Sequence, residues 1–72
     1  MDIKRRFGSA IRARRGALGI SQEELALLIA ADQAYVSRVE AGAMNVTLET
    51  AQQFAEALEI DIAALLSPEE NR

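Results

Sequence analysis

Apolar side chains recur along this chain at three- and four-residue intervals, interrupted by short polar or glycine-bearing breaks, and the pattern predicts five helices. Ile3, Phe7, Ile11 and Leu18 are spaced by four, four and seven residues, so a first helix over about 3–17 gathers them on one face. Gly19 suits the left-handed residue just past that helix. Ser21 with Glu24 three residues on has capping-box spacing, and Leu25, Leu28 and Ile29 follow as an expected buried stripe of a second helix. Asp32 is a good N-cap for a third helix from about Gln33 to Ala41 that buries Val36 and Val39, and Gly42 stops it.

Thr47 caps a fourth helix in which Leu48, Ala51, Ala55 and Leu58 repeat at helical spacing, with Phe54 alongside. Asp61 caps a short fifth helix carrying Ile62, Leu65 and Leu66; Ser67-Pro68 should end it, leaving the last four residues to fray. The fold class expected is all-α, a compact five-helix domain filling residues 1–72. Its length leaves room for one hydrophobic core and hardly any for a second domain.

Composition supports helices. Half of the residues are apolar but only 4% are aromatic, with alanine and leucine supplying most of the apolar set, which favours helix over strand. Without cysteine or histidine, neither a disulfide framework nor the usual metal ligands exist, and no cofactor is expected. The basic start, Met1 to Arg6, is followed by no apolar stretch of signal-peptide length, and the longest apolar run, Leu25 to Ala31, is far too short to span a bilayer. A soluble cytoplasmic protein without a membrane partner is expected.

The net charge of −3 argues against a polyanion partner until its distribution is read. Residues 1–42 carry seven basic and five acidic side chains, residues 43–72 one and six, so the cationic field sits in the first half. Enzymatic chemistry has little to work with: there is no nucleophile-base pair and no glycine-rich phosphate loop, and Glu23-Glu24 and Glu69-Glu70 are sequence neighbours that diverge on a helix.

Two short helices joined by a tight turn over about 21–41 have the layout of a helix-turn-helix, although such a pair also occurs in bundles that bind no DNA. The runs Gly19-Ile20-Ser21-Gln22-Glu23-Glu24-Leu25-Ala26, Tyr35-Val36-Ser37-Arg38-Val39-Glu40-Ala41-Gly42 and Thr47-Leu48-Glu49-Thr50, followed by Ala57-Leu58, together resemble the phage-repressor-like (Cro/C1, Xre) helix-turn-helix family. The compact size, the Asn45-Val46-Thr47-Leu48 loop and the short fifth helix also resemble controller proteins of restriction-modification systems. The resemblance implies a lambda-repressor-like fold and a transcriptional regulator that acts as a homodimer on a pseudo-palindromic operator. The partners it implies are double-stranded DNA, a second copy of the chain and RNA polymerase, with no small-molecule ligand. An antitoxin or protein-interaction adaptor on the same fold is the alternative.

By position, the resemblance places Gln33, Ala34, Ser37 and Arg38 at base edges. Their chemistry agrees: Gln pairs bidentately with adenine, Arg with guanine, Ser is permissive and the Ala methyl meets that of thymine. Gln22, Tyr35, Asn45 and Arg14 stand as phosphate contacts, with Gln22 also bracing the recognition helix and edge packing as the other reading of Tyr35. Arg15 and Glu40 form an implied structural ion pair. Lys4, Arg5, Arg6 and Arg12 are candidates for long-range attraction. The apolar residues Ile60, Ile62, Leu65 and Leu66 exceed what so small a core should need, and a dimer interface is expected over 58–67; the bland alternative is that they close the monomer core. Two departures from the family pattern stand out. Ala30 occupies the turn position where glycine is usual, so the turn is expected to be reshaped or strained, and Ala43-Met44 lacks the usual basic residues, which implies modest affinity per monomer.

Overall fold

The computed structural model describes residues 2–67 and contains helices α1 (Ile3–Leu18), α2 (Gln22–Leu28), α3 (Gln33–Glu40), α4 (Leu48–Ala57) and α5 (Ile62–Leu66). The expected stop at Pro68 and the fraying of 69–72 lie outside the described residues. Among the described residues no helix is long and apolar enough to cross a membrane.

Each helix starts on a side-chain acceptor that takes a backbone amide its own helix cannot satisfy: Asp2, Ser21, Asp32, Thr47 and Asp61. At α2 the capping box is complete, with Ser21 Oγ accepting from the Glu24 amide at 3.0 Å and Glu24 Oε1 from the Ser21 amide at 2.7 Å. The C-termini of the first four helices close by one device. The amides of Ile20, Ala31, Ala43 and Ile60 donate five residues back, to Arg15, Ala26, Arg38 and Ala55, while the residue before each donates three residues back. That closure needs one residue with positive φ, and the chain places Gly19 (72°), Ala30 (58°), Gly42 (76°) and Glu59 (56°) there.

The turn at Ala30 is therefore not reshaped; alanine adopts the left-handed conformation glycine would take freely. Left-handed alanine costs about 1–2 kcal/mol, and glycine would give back roughly 0.5–1 kcal/mol through its freer unfolded state. Ala30→Gly is expected to raise stability by about 0.5–1 kcal/mol, read as a thermal midpoint some 2–8 °C higher. An unchanged or lowered midpoint would show that the strain is relieved elsewhere.

The core lies where all five helices converge. Phe54 of α4 is fully buried at its centre, with the Phe7 ring edge-on at 5.8 Å and the Tyr35 ring stacked at 6.3 Å. Ile11, Leu25, Val36, Val39, Leu58 and Leu65 complete its fully enclosed large side chains. Four residues expected inside are not. Leu28 is 61% exposed, Leu48 77%, Ile3 51% and Leu18 38%. Each is the first or last residue of its helix, where a stripe in register with the core runs past the end of it. In α2 the buried place next to Leu25 goes to Ala26, with Ile29 half-buried.

Gly8 sets the approach of α1 to α3. A Cβ there would overlap the Val39 carbonyl oxygen and lie 2.7 Å from the Glu40 carbonyl oxygen, so the end of α3 rests on bare α1 backbone. Arg15 lies seven residues further along, two turns up the same face, and meets the same end of α3 with its side chain. One residue before it, on a different face of α1, Arg14 donates from Nε to the Leu58 carbonyl at 2.9 Å and from Nη2 to the Glu59 carbonyl at 3.2 Å, stapling α1 to the left-handed end of α4.

Candidate nucleic-acid interface

Helix α3 has two faces, and its sequence dictates which is which. At 100° per residue, Val36 and Val39 point one way and are 0% and 1% exposed, whereas Gln33, Ala34, Ser37 and Arg38 form two adjacent rows on the opposite side and are all exposed. Tyr35 falls between the two faces and is half-buried, its ring stacked on Phe54. Edge packing is thus the ring's role. The exposed face carries the one side-chain amide of Gln33, a hydroxyl, a methyl and a guanidinium that, among the described residues, makes only a long 3.5 Å hydrogen bond to its own helix, at the Ala34 carbonyl.

Helix α2 braces this element from one flank. Gln22, at its first position, donates from Nε2 to Glu40 Oε1 at 3.0 Å and accepts from Gln33 Nε2 at 3.2 Å, so a single side chain holds both ends of α3. Glu40 is held in turn by Arg15, through Nε to Oε2 at 2.7 Å and Nη2 to Oε1 at 3.1 Å, while Arg15 Nη1 donates to the Ile20 carbonyl at 3.0 Å. The expected ion pair is present and two-pronged, with side chains only 17% and 5% exposed. The hydrogen bond to Glu40 is the chief reason that Arg15 is held protonated still more firmly than an ordinary arginine; burial opposes it, and the charge of Glu40 adds to it.

The remaining site candidates are distributed unevenly. Asn45 is exposed in the loop that leads from α3 to α4. Arg14, expected at a phosphate, has its guanidinium committed to the end of α4 instead. Leu65, expected at a dimer interface, is 0% exposed and belongs to the core, and Ile60, Ile62 and Leu66 are half-buried against it, because five short helices need the fifth to close the bottom of the bundle. Gly8 was not among the residues singled out in the sequence. Its one signal there is a glycine in mid-helix, which costs about 1 kcal/mol relative to alanine and so implies a packing reason.

A short helix with polar tips turned outward, its valines locked inward, and a second helix bracing it across a tight turn define a helix-turn-helix DNA-binding domain. Residues 11–65 match the helix-turn-helix family model, and the chain belongs to that family. It is 36% identical to Control protein C.SmaI of Serratia marcescens over 67 residues, covering 93% of this chain and 80% of that protein. Among solved structures it is similar to the restriction-modification controller protein C.AhdI from Aeromonas hydrophila, with 43% identity, TM-score 0.80, and coverage of 85% of this chain and 88% of that one. It is also similar to the hypothetical transcription factor NHTF from Neisseria, with 36% identity, TM-score 0.88, and coverage of 93% and 77%. The protein is a DNA-binding transcriptional regulator, and its relatives are regulators rather than enzymes.

Proposed function

We propose that this chain acts in the cytoplasm as a homodimer that reads a pseudo-palindromic operator in double-stranded DNA, and that it is the controller of a restriction-modification operon, its own gene included. The observation that carries the reading is the exposed double row on α3, Gln33 and Ser37 beside Ala34 and Arg38, opposite two fully buried valines. In a major groove that row presents donors and acceptors at base edges, with Arg38 suited to guanine and Gln33 to adenine. Gln22 and Asn45 are the phosphate contacts proposed, and Tyr35 contributes its hydroxyl alone, since its ring belongs to the core edge. Arg14 is left out. The names of the relatives favour a controller over an antitoxin or adaptor. RNA polymerase is the further partner through which such a regulator would act.

Selection from random duplexes at stated salt tests this reading, because a recovered pseudo-palindrome reports base readout and dimer spacing together. Arg38→Ala is expected to cost about 1–3 kcal/mol on the selected operator and relax one base position, while Gln22→Ala weakens random and selected duplexes more evenly. Equal losses on both duplexes for Arg38→Ala would remove it from base readout.

One recognition helix spans only a few base pairs, so specificity needs two domains about one helical turn apart. The apolar edges of Ile60, Ile62 and Leu66 that the core leaves partly uncovered support pairing through 58–67. Sedimentation at micromolar concentration is expected to give the mass of two chains. A clean monomer mass would confine dimerisation to the operator or abolish it.

A further inference from the structure

The hydrogen bonds that brace α3 have a direction, and the direction is set by Glu40. A carboxylate can only accept, so of the two ends of the Gln22 amide only the nitrogen can face it, and at 3.0 Å it does. The two-pronged contact from Arg15 keeps Glu40 in that acceptor-only form. With its nitrogen taken, Gln22 turns its carbonyl oxygen to the other side, where Gln33 must offer an N–H, and Gln33 Nε2 stands 3.2 Å away. Gln33 and Glu40 are seven residues apart on α3, two turns, and so share a flank that one Gln22 side chain spans.

Among the described residues, this leaves Gln33 with one N–H and an unengaged carbonyl oxygen for the groove. That pairing of donor and acceptor is complementary to adenine, which shows an acceptor at N7 and a donor at N6. Were Gln22 turned about, its nitrogen would draw in the Gln33 oxygen and leave two N–H donors outward, which suits the O6 and N7 acceptors of guanine. We infer that Glu40 is a specificity-positioning residue: through the Gln22 amide it fixes which way Gln33 faces the groove and so favours adenine over guanine at the base Gln33 meets. The inference rests on the base-reading role proposed for Gln33. It gives the Arg15–Glu40 pair a part in readout beyond tying α1 to α3.

The test measures adenine-to-guanine ratios at each operator position for wild type, Gln33→Ala, Glu40→Gln and Gln22→Lys, at one salt concentration. Gln33→Ala is expected to erase one adenine preference and so identify the position. Glu40→Gln replaces an acceptor with an amide that accepts or donates, and Gln22→Lys satisfies Glu40 while showing Gln33 only a donor. Both are expected to lower the ratio at that same position by roughly tenfold and leave the position read by Arg38 unchanged. A purely structural role would instead weaken every position alike. Glu40 is overturned as a positioning residue if folded Glu40→Gln and Gln22→Lys proteins keep the adenine ratio within about twofold, or flatten all positions together. If Glu40→Gln melts below the assay temperature, the double variant Arg15→Met with Glu40→Leu, which strands no charge, decides on the same criterion. Should Gln33→Ala change no position, it is the base-reading role of Gln33 that fails.

Discussion

Replacing Gly8 by alanine is expected to destabilise this domain by about 2 kcal/mol, lowering its thermal midpoint by roughly 8–16 °C. Two effects compete at this site. Alanine is the better helix former by about 1 kcal/mol, but its methyl would have to enter space held by the carbonyl oxygens of Val39 and Glu40. Those are backbone atoms at the end of a capped helix and cannot swing aside as a side-chain tip would, so overpacking near the upper end of its usual 1–3 kcal/mol range, about 3 kcal/mol, outweighs the propensity gain. For a domain whose whole stability is on the order of 4–11 kcal/mol, the loss is a large share. Gly16 supplies the opposite sign from the same helix. Nothing lies within 4 Å of a Cβ built there, so Gly16→Ala should gain about 0.5–1 kcal/mol. Thermal melts of the two variants check the argument, and a Gly8→Ala protein as stable as wild type would mean that α3 moves off α1 at little cost. The same displacement would tilt the Gln33 and Arg38 tips, so DNA affinity should fall even where Gly8→Ala is fully folded.

What the sequence made legible is what is decided within four or five residues. Ser21 with Glu24, Asp32, Thr47 and Asp61 announce helix starts because a cap is a contact between a side chain and the amide two or three residues on. Gly19 and Gly42 announce two of the four left-handed helix ends. The other two fall on Ala30 and Glu59, where propensity gives no sign and the fold imposes the conformation. For Glu59 the Arg14 guanidinium holds the strained end by its carbonyl, a contact spanning 45 residues that no local pattern contains. Periodicity told buried from exposed in the middles of helices and failed at their ends, as at Leu28 and Leu48. It also could not say how many apolar residues the fifth helix spends on the core, which is why Leu65 is inside rather than at a surface. On the candidate interface, the resemblance supplied Gln22, Arg15 and Glu40 as separate roles, and the fold joins them into one chain of hydrogen bonds ending at Gln33.

The Arg15–Glu40 pair carries the second large expected effect. Glu40→Ala would leave the Arg15 guanidinium, 17% exposed, without its carboxylate and Gln22 without its acceptor, and breaking one side of so covered a pair costs about 3–5 kcal/mol. The thermal midpoint should fall by at least roughly 12 °C. Removing both charges is a different experiment. In a double variant, Arg15→Met with Glu40→Leu, no charge is stranded and apolar volume fills the gap, so most of the loss should be recovered. Arg15→Met alone, Glu40→Leu alone and the double variant form a cycle whose coupling term, at least about 2 kcal/mol, measures the penalty of an orphaned charge. Additive losses would show that water reaches the guanidinium freely. The double variant also separates stability from readout: if Glu40 acts on Gln33 through Gln22, a protein that folds as well as wild type should still have lost its preference for adenine at the one position that Gln33 reads.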